Sequence, residues 1–100
     1  MMRNGGRLLV ECFVALGATK GFGVPGESYL AVLDALHDTK GKLDFVLCRN
    51  EGGAAFMAAA WGKLTGQPGL CFVTRGPWAT NASIGVHTAM QDSAPMILFV

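Results

Sequence analysis

With 100 residues the chain has room for one domain at most, and a domain of that size buries only about two-thirds of the surface its unfolded form exposes. Hydrophobic residues make up 51% and charged residues 15%, a balance that suits buried α/β layers with part of the surface meeting other protein. The formal charge of +1 comes without a basic run or interleaved basic and aromatic residues, which excludes a nucleic-acid surface. No stretch approaches the roughly 20 apolar residues of a membrane span.

Met1 to Arg7 is polar and glycine-rich, unlike a signal peptide. From Arg7 to Ala18, Leu9, Phe13 and Leu16 recur at helical spacing, and Leu8, Cys12 and Ala15 widen that face, so a helix covered on most sides is expected. Phe22-Gly23-Val24 reads as a short strand ended by Pro25-Gly26, which cannot continue a central ladder. Glu27 and Ser28 offer an acidic first turn and a capping hydroxyl to a helix whose core face is Tyr29, Val32, Leu33 and Leu36. Leu43 to Leu47 reads as a buried parallel strand. Asn50 then caps a helix from Glu51 to about Leu64, with Ala54, Met57, Ala58 and Trp61 at helical spacing. Gly66 to Gly69 is a turn, Leu70 to Thr74 a strand, and Arg75-Gly76-Pro77 leads into a helix along Ala82, Val86, Ala89 and Met90. A last strand, Met96 to Val100, ends without a turn or cap, so the expectation is of a truncated protein.

Repeated strand-helix units predict an α/β fold, an open parallel sheet with helices on both faces. In such a sheet Pro25-Gly26, Asn50-Glu51 and Thr74-Arg75-Gly76-Pro77 gather on one rim, where ligands bind. The cysteines, Cys12, Cys48 and Cys71, are far apart and lie within apolar runs; they read as buried free thiols in a reducing cytoplasm.

Gly21-x-Gly23-x-x-Gly26 satisfies the dinucleotide pattern, with Glu51 in reach of the ribose role, but that pattern needs a full strand before its first glycine and none is present. Without a ligand, a tight turn accounts for Gly21 but explains Pro25-Gly26 less well. Glu51 opens a helix, where a carboxylate is stabilised by the helix dipole alone. The run Gly52-Gly53-Ala54-Ala55 beside it lets a ligand or another chain lie close to the backbone. Thr74 to Asn81 is a strand-to-helix corner that serves either as an anion site or as a capped helix start. There is no Ser/His/Asp constellation and no pair of histidines at ligand spacing; His37 and His87 read as surface or packing residues, and no metal site is expected.

Gly23-Val24-Pro25-Gly26, Arg49-Asn50-Glu51-Gly52-Gly53-Ala54-Ala55, Gly66-Gln67-Pro68-Gly69 and Thr74-Arg75-Gly76-Pro77-x-Ala79-Thr80-Asn81, in this order and spacing, resemble the amino-terminal, pyrimidine-binding domain of acetolactate synthase-like thiamine-diphosphate enzymes. The resemblance runs from about Gly6 to Val100. It implies that residues 1–100 are the first part of that domain, with the middle and diphosphate-binding domains absent. It implies that Glu51 is catalytic, hydrogen-bonding the aminopyrimidine ring and favouring the imino tautomer that takes the thiazolium proton. Val24, Pro25 and Gly26 would line the ring, and Thr74, Pro77 and Asn81 would complete its pocket. Mg2+ would be bound by the missing carboxyl-terminal domain, and FAD dependence is not written in this segment.

The implied activity is decarboxylation of a small-molecule 2-oxo acid and transfer of the acyl group to a second carbonyl, in a homodimer or homotetramer, with these 100 residues inactive alone. The alternatives are a simple 2-oxo acid decarboxylase and a truncated non-catalytic subunit. Three departures stand out. Asn50 and Gly52 flank Glu51 where the family often has His and Gln, the family's metal and diphosphate motif is missing, and Trp78 replaces a glycine. Its indole must either point away from the pocket or occupy space meant for the ring; the expectation is that it impairs cofactor binding more than folding, with added strain if the backbone φ there is positive.

Overall fold

The computed structural model describes residues 2–100. Asn4 opens helix α1 (Gly5–Ala15) by accepting the Arg7 N–H on its side chain. Strand β1 (Lys20–Gly23) follows, then a single 3₁₀ turn (Glu27–Tyr29) and α2 (Leu30–Asp38). Next come β2 (Asp44–Leu47), α3 (Glu51–Thr65), β3 (Gly69–Phe72), the five-residue α4 (Pro77–Asn81), α5 (Ser83–Gln91) and β4 (Met96–Phe99).

All four strands are parallel, in the order β2-β1-β3-β4. The expected α/β fold with an open parallel sheet is therefore present. Val10 and Phe13 of α1 and Ala35 and Leu36 of α2 pack with Leu70 and Phe72 on one face of the sheet. Ala54, Ala55 and Ala58 of α3, with Ala82 at the α4–α5 junction, pack with Phe22, Cys71 and Val73 on the other. Helices thus cover both faces. The chain moves outward from β1 to β2 and then returns past β1 to β3 and β4, so the direction reverses between β1 and β3. The connections that leave their carboxyl ends run to opposite faces of the sheet there and leave a crevice.

Several local expectations are corrected by packing. The α1 stripe that meets the sheet runs through Leu9, Val10, Phe13 and Val14, while Leu8, Cys12 and Ala15 are exposed and Leu16 is 81% exposed. One narrow contact with α2 and the sheet covers α1, not a surround. Cys12 is accordingly an exposed thiol, and only Cys48 and Cys71 are buried. Leu43 is buried, but β2 itself is an edge strand and only half covered.

The single helix expected after Pro77 is two. Ala82 and Gly85 donate three residues back, to Ala79 and Ala82, and those tight bonds break the α-helical ladder. Helix α5 then docks on α3 through Ala82, Gly85 and Ala89, leaving Val86 and Met90 exposed. Gly85 shows why: a Cβ there would collide with the Cβ and backbone of Ala55. Only small residues permit that approach.

Candidate functional site

The rim of the crevice is built by three corners. After β1 the chain runs through Val24, Pro25 and Gly26; after β2 it turns through Arg49 and Asn50 into α3; after β3 it passes Thr74, Arg75 and Gly76 into α4. Asn50 accepts the N–H groups of Gly52 and Gly53 at 2.8 and 3.2 Å, as its place before the helix predicts. Gly76 has φ 74° and ψ −133°, a backbone open only to glycine, and this swings Pro77 into the first position of α4.

The corners are tied to each other. Ser28 and Thr74 hydroxyls hydrogen-bond at 2.7 Å, and Arg75 pairs with Glu27 at 3.1 Å. Ser28 is thus a bridge to the third corner; it does not cap α2 as expected. The Tyr29 hydroxyl donates to the Val24 carbonyl and lies 3.4 Å from that of Phe72, bracing both sides of the crevice from beneath. Burial, with smaller effects from Cys71 and Glu51, pushes the Tyr29 hydroxyl up to about 12, so it remains a donor. Tyr29 was legible as a core position, but no periodicity could reveal what its hydroxyl reaches.

Between the corners lies a cleft of about 520 Å³. Six of the seven residues singled out from the sequence line it: Val24, Pro25, Gly26, Glu51, Thr74 and Asn81. The seventh, Pro77, starts α4 and does not line the cleft; its neighbour Trp78 does, as do Glu27, Arg49 and Asn50.

Glu51 is the one carboxylate sunk into this site, at 4% exposure. Asn81 Nδ2 donates to its Oε1 at 3.1 Å. Oε2 takes no hydrogen bond from the described residues, yet none of their side-chain oxygens is both sealed from solvent and without a partner. Oε2 therefore keeps some solvent access, and the cleft is the cavity that Glu51 lines. The α3 amino terminus places positive dipole charge beside this carboxylate.

The glycines and alanines around Glu51 have a different cause from the one expected. Ala54 and Ala55 are fully buried in the protein's own core, and a Cβ on Gly52 would press on Asn50, Asn81 and Ile84. The close neighbour is this chain's own α4–α5 segment, and only Gly53 has open space beside it. The tight-turn reading of Gly21 also changes. Gly21 and Gly23 lie inside β1, where a Cβ on Gly21 would meet the Phe72 ring at 2.8 Å and one on Gly23 would strike the Phe72 carbonyl. Gly26 makes room for Thr74.

Trp78 is α-helical, because Ser93 is the only described non-glycine residue with positive φ. The strain foreseen at Trp78 does not exist; the unusual backbone belongs to Gly76 two residues earlier. The buried Cys71 thiol is pushed up to about 12, chiefly by burial, and stays protonated in the core. Among the described residues no cluster of His, Cys, Asp or Glu could hold a metal ion, and no helix is long and apolar enough to cross a membrane.

A buried carboxylate with one free oxygen, set in a crevice where a parallel sheet changes direction, defines a small-molecule-binding domain of the open α/β class. Residues 3–100 match the family described as the thiamine pyrophosphate enzyme N-terminal TPP binding domain, and the chain belongs to that family. It is similar to an acetolactate synthase of Bacillus subtilis (strain 168), 46% identical over 94 residues, which cover 94% of this chain and 16% of that protein. Acetolactate synthase isozyme 3 large subunit of Escherichia coli (strain K12) is 41% identical over 97 residues, covering 97% of this chain and 17% of that protein. The chain therefore spans about a sixth of the length of these relatives.

Proposed function

We propose that the cleft receives the aminopyrimidine ring of thiamine diphosphate and that Glu51 is the acid that exchanges a proton with a ring nitrogen. The observation that carries this reading is the Glu51 carboxylate, 4% exposed and lining the cleft, with Oε1 held by Asn81 and Oε2 keeping some solvent access. A flat heteroaromatic ring, with apolar faces and polar ring nitrogens, suits a cleft lined both by Val24, Pro25 and Gly26 and by a carboxylate. Asn81 fixes the carboxylate in one orientation, and the Ser28–Thr74 bond fixes the two corners between which a ring would slide. Pro77 acts through the position of α4, on which Asn81 stands.

The bound cofactor supplies the carbon nucleophile and electron sink for decarboxylation. In this reading the whole protein decarboxylates a 2-oxo acid and joins the remaining acyl group to a second carbonyl. The likeness to acetolactate synthases supports that choice. In this reading Mg2+ and the diphosphate are held by a domain outside this segment, and this segment alone is inactive. A second subunit supplying that domain makes the enzyme a homodimer or homotetramer. The unpaired thiols of Cys12, Cys48 and Cys71 accord with a reducing cytoplasm.

The test is Glu51→Gln in the complete protein. The amide preserves the shape and the Asn81 contact but cannot pass the proton, so turnover falls on the order of a hundredfold or more. Proton exchange at the thiazolium carbon, followed by NMR, slows in parallel. Exchange at the wild-type rate would make Glu51 a capping residue and overturn the assignment.

A further inference from the structure

Trp78 is the one large aromatic side chain at the cleft. It stands in the first turn of α4, three residues before Asn81, and lines the same wall-to-wall space as Glu51 and Val24. Trp78 is 50% exposed, and the close ring pairs of the described residues all lie elsewhere, around Phe72, Phe13 and Trp61. The indole therefore has apolar area available and no aromatic partner. The cleft keeps about 520 Å³ with the indole in place, inside the roughly 300–1,000 Å³ of ordinary small-molecule pockets. Trp78 narrows the site without closing it, and its helical backbone carries no strain to offset a gain in contact.

We propose that the Trp78 indole is a binding residue of this cleft, a stacking platform that raises affinity for a flat heteroaromatic ring whose edge is read by Glu51. This rests on the reading of the cleft as the aminopyrimidine site, and it reverses the sign expected of Trp78 from the sequence. Removing the indole loosens the site because a ring stacked on it exchanges hydration on both surfaces for dispersion contact, and the indole lines the same cleft as the Glu51 carboxylate. Phenylalanine offers a smaller platform of the same kind; glycine offers none.

The experiment is a calorimetric titration of the complete protein with thiamine diphosphate and Mg2+, comparing wild type, Trp78→Phe and Trp78→Gly. Indole emission is recorded in parallel. The Gly variant is expected to bind about tenfold or more weakly, from the usual worth of one aromatic stack. The Phe variant should fall between it and wild type. Cofactor should quench more emission in wild type than in Trp78→Phe, a difference that isolates this indole from every other tryptophan. Trp78→Phe also keeps the conclusion testable if the glycine unsettles the short α4. Equal affinities and equal quenching in wild type and Trp78→Phe, together with unchanged binding by Trp78→Gly, would overturn the proposal while leaving the Glu51 reading intact. Tighter binding by Trp78→Gly would overturn it too, and would make the indole an obstruction. Failure of the wild-type protein to bind the cofactor would remove the aminopyrimidine reading itself.

Discussion

On the side of α1 and α2 the sheet is covered by rings. Phe72 lies at their centre, stacked on Phe99 at 5.2 Å and on Tyr29 at 6.3 Å, and meeting Phe13 and Phe45 at 6.2 Å each. On the other side the cover is mostly methyl groups and bare backbone, Ala54, Ala55, Ala58, Ala82 and Gly85, with Trp61 of α3 against Phe22 as the one close ring pair on that side among the described residues. Large rings hold the layers apart and fill the space by interlocking, whereas small residues let α3 settle onto the sheet and α5 onto α3. Both carboxylate and amide of the candidate site stand on the second side, Glu51 at the start of α3 and Asn81 at the end of α4. Close backbone approach is what brings them within 3.1 Å. The aromatic side provides bulk stability, and the small-residue side provides position.

The comparison breaks most visibly at Phe72. Phe72→Ala removes the common partner of four rings, and a cavity in that layer should cost about 3–5 kcal/mol in urea unfolding followed by circular dichroism. A loss under about 1 kcal/mol would mean that the aromatic layer refills itself. Gly85→Ala tests the opposite face by adding one methyl where there is no room. Overpacking against Ala55 should cost about 1–3 kcal/mol, even though alanine favours a helix by up to about 1 kcal/mol. A stabilised Gly85→Ala protein would show slack between α3 and α5 and undo the distinction between the faces. The smallest expected effect is Asn50→Ala, which strips the cap from α3 and should cost about 1 kcal/mol in the same unfolding assay. If stability holds while cofactor affinity falls, Asn50 serves the cleft more than the helix.

Much of this is legible in the amino-acid sequence. The strand-helix alternation, the Asn50 cap and the gathering of three corners on one rim follow from local rules, because periodicity, capping and the parallel direction of strands are properties of short segments. So is the motif set that resembles thiamine-diphosphate enzymes, down to the six residues that line the cleft.

What the chain could not disclose on its own was which small or apolar residue meets which neighbour. Leu16 and Val10 are equally apolar, yet one is 81% exposed and the other fully buried, because the α1–α2 contact selects the stripe. Gly21 reads as part of a tight turn and Gly52 as room for a ligand or another chain, yet both, like Gly85, are places where another part of this chain presses in. The Asn81–Glu51 bond joins residues 30 positions apart, and the Tyr29 hydroxyl reaches two strands at once. Local spacing and capping determine most of the elements and the gathering of three corners on one rim, and the motif resemblance implies the chemistry there. Distances between side chains distant in sequence exist only once the layers have packed, and at this site those distances decide which oxygen of Glu51 is held and which is left free.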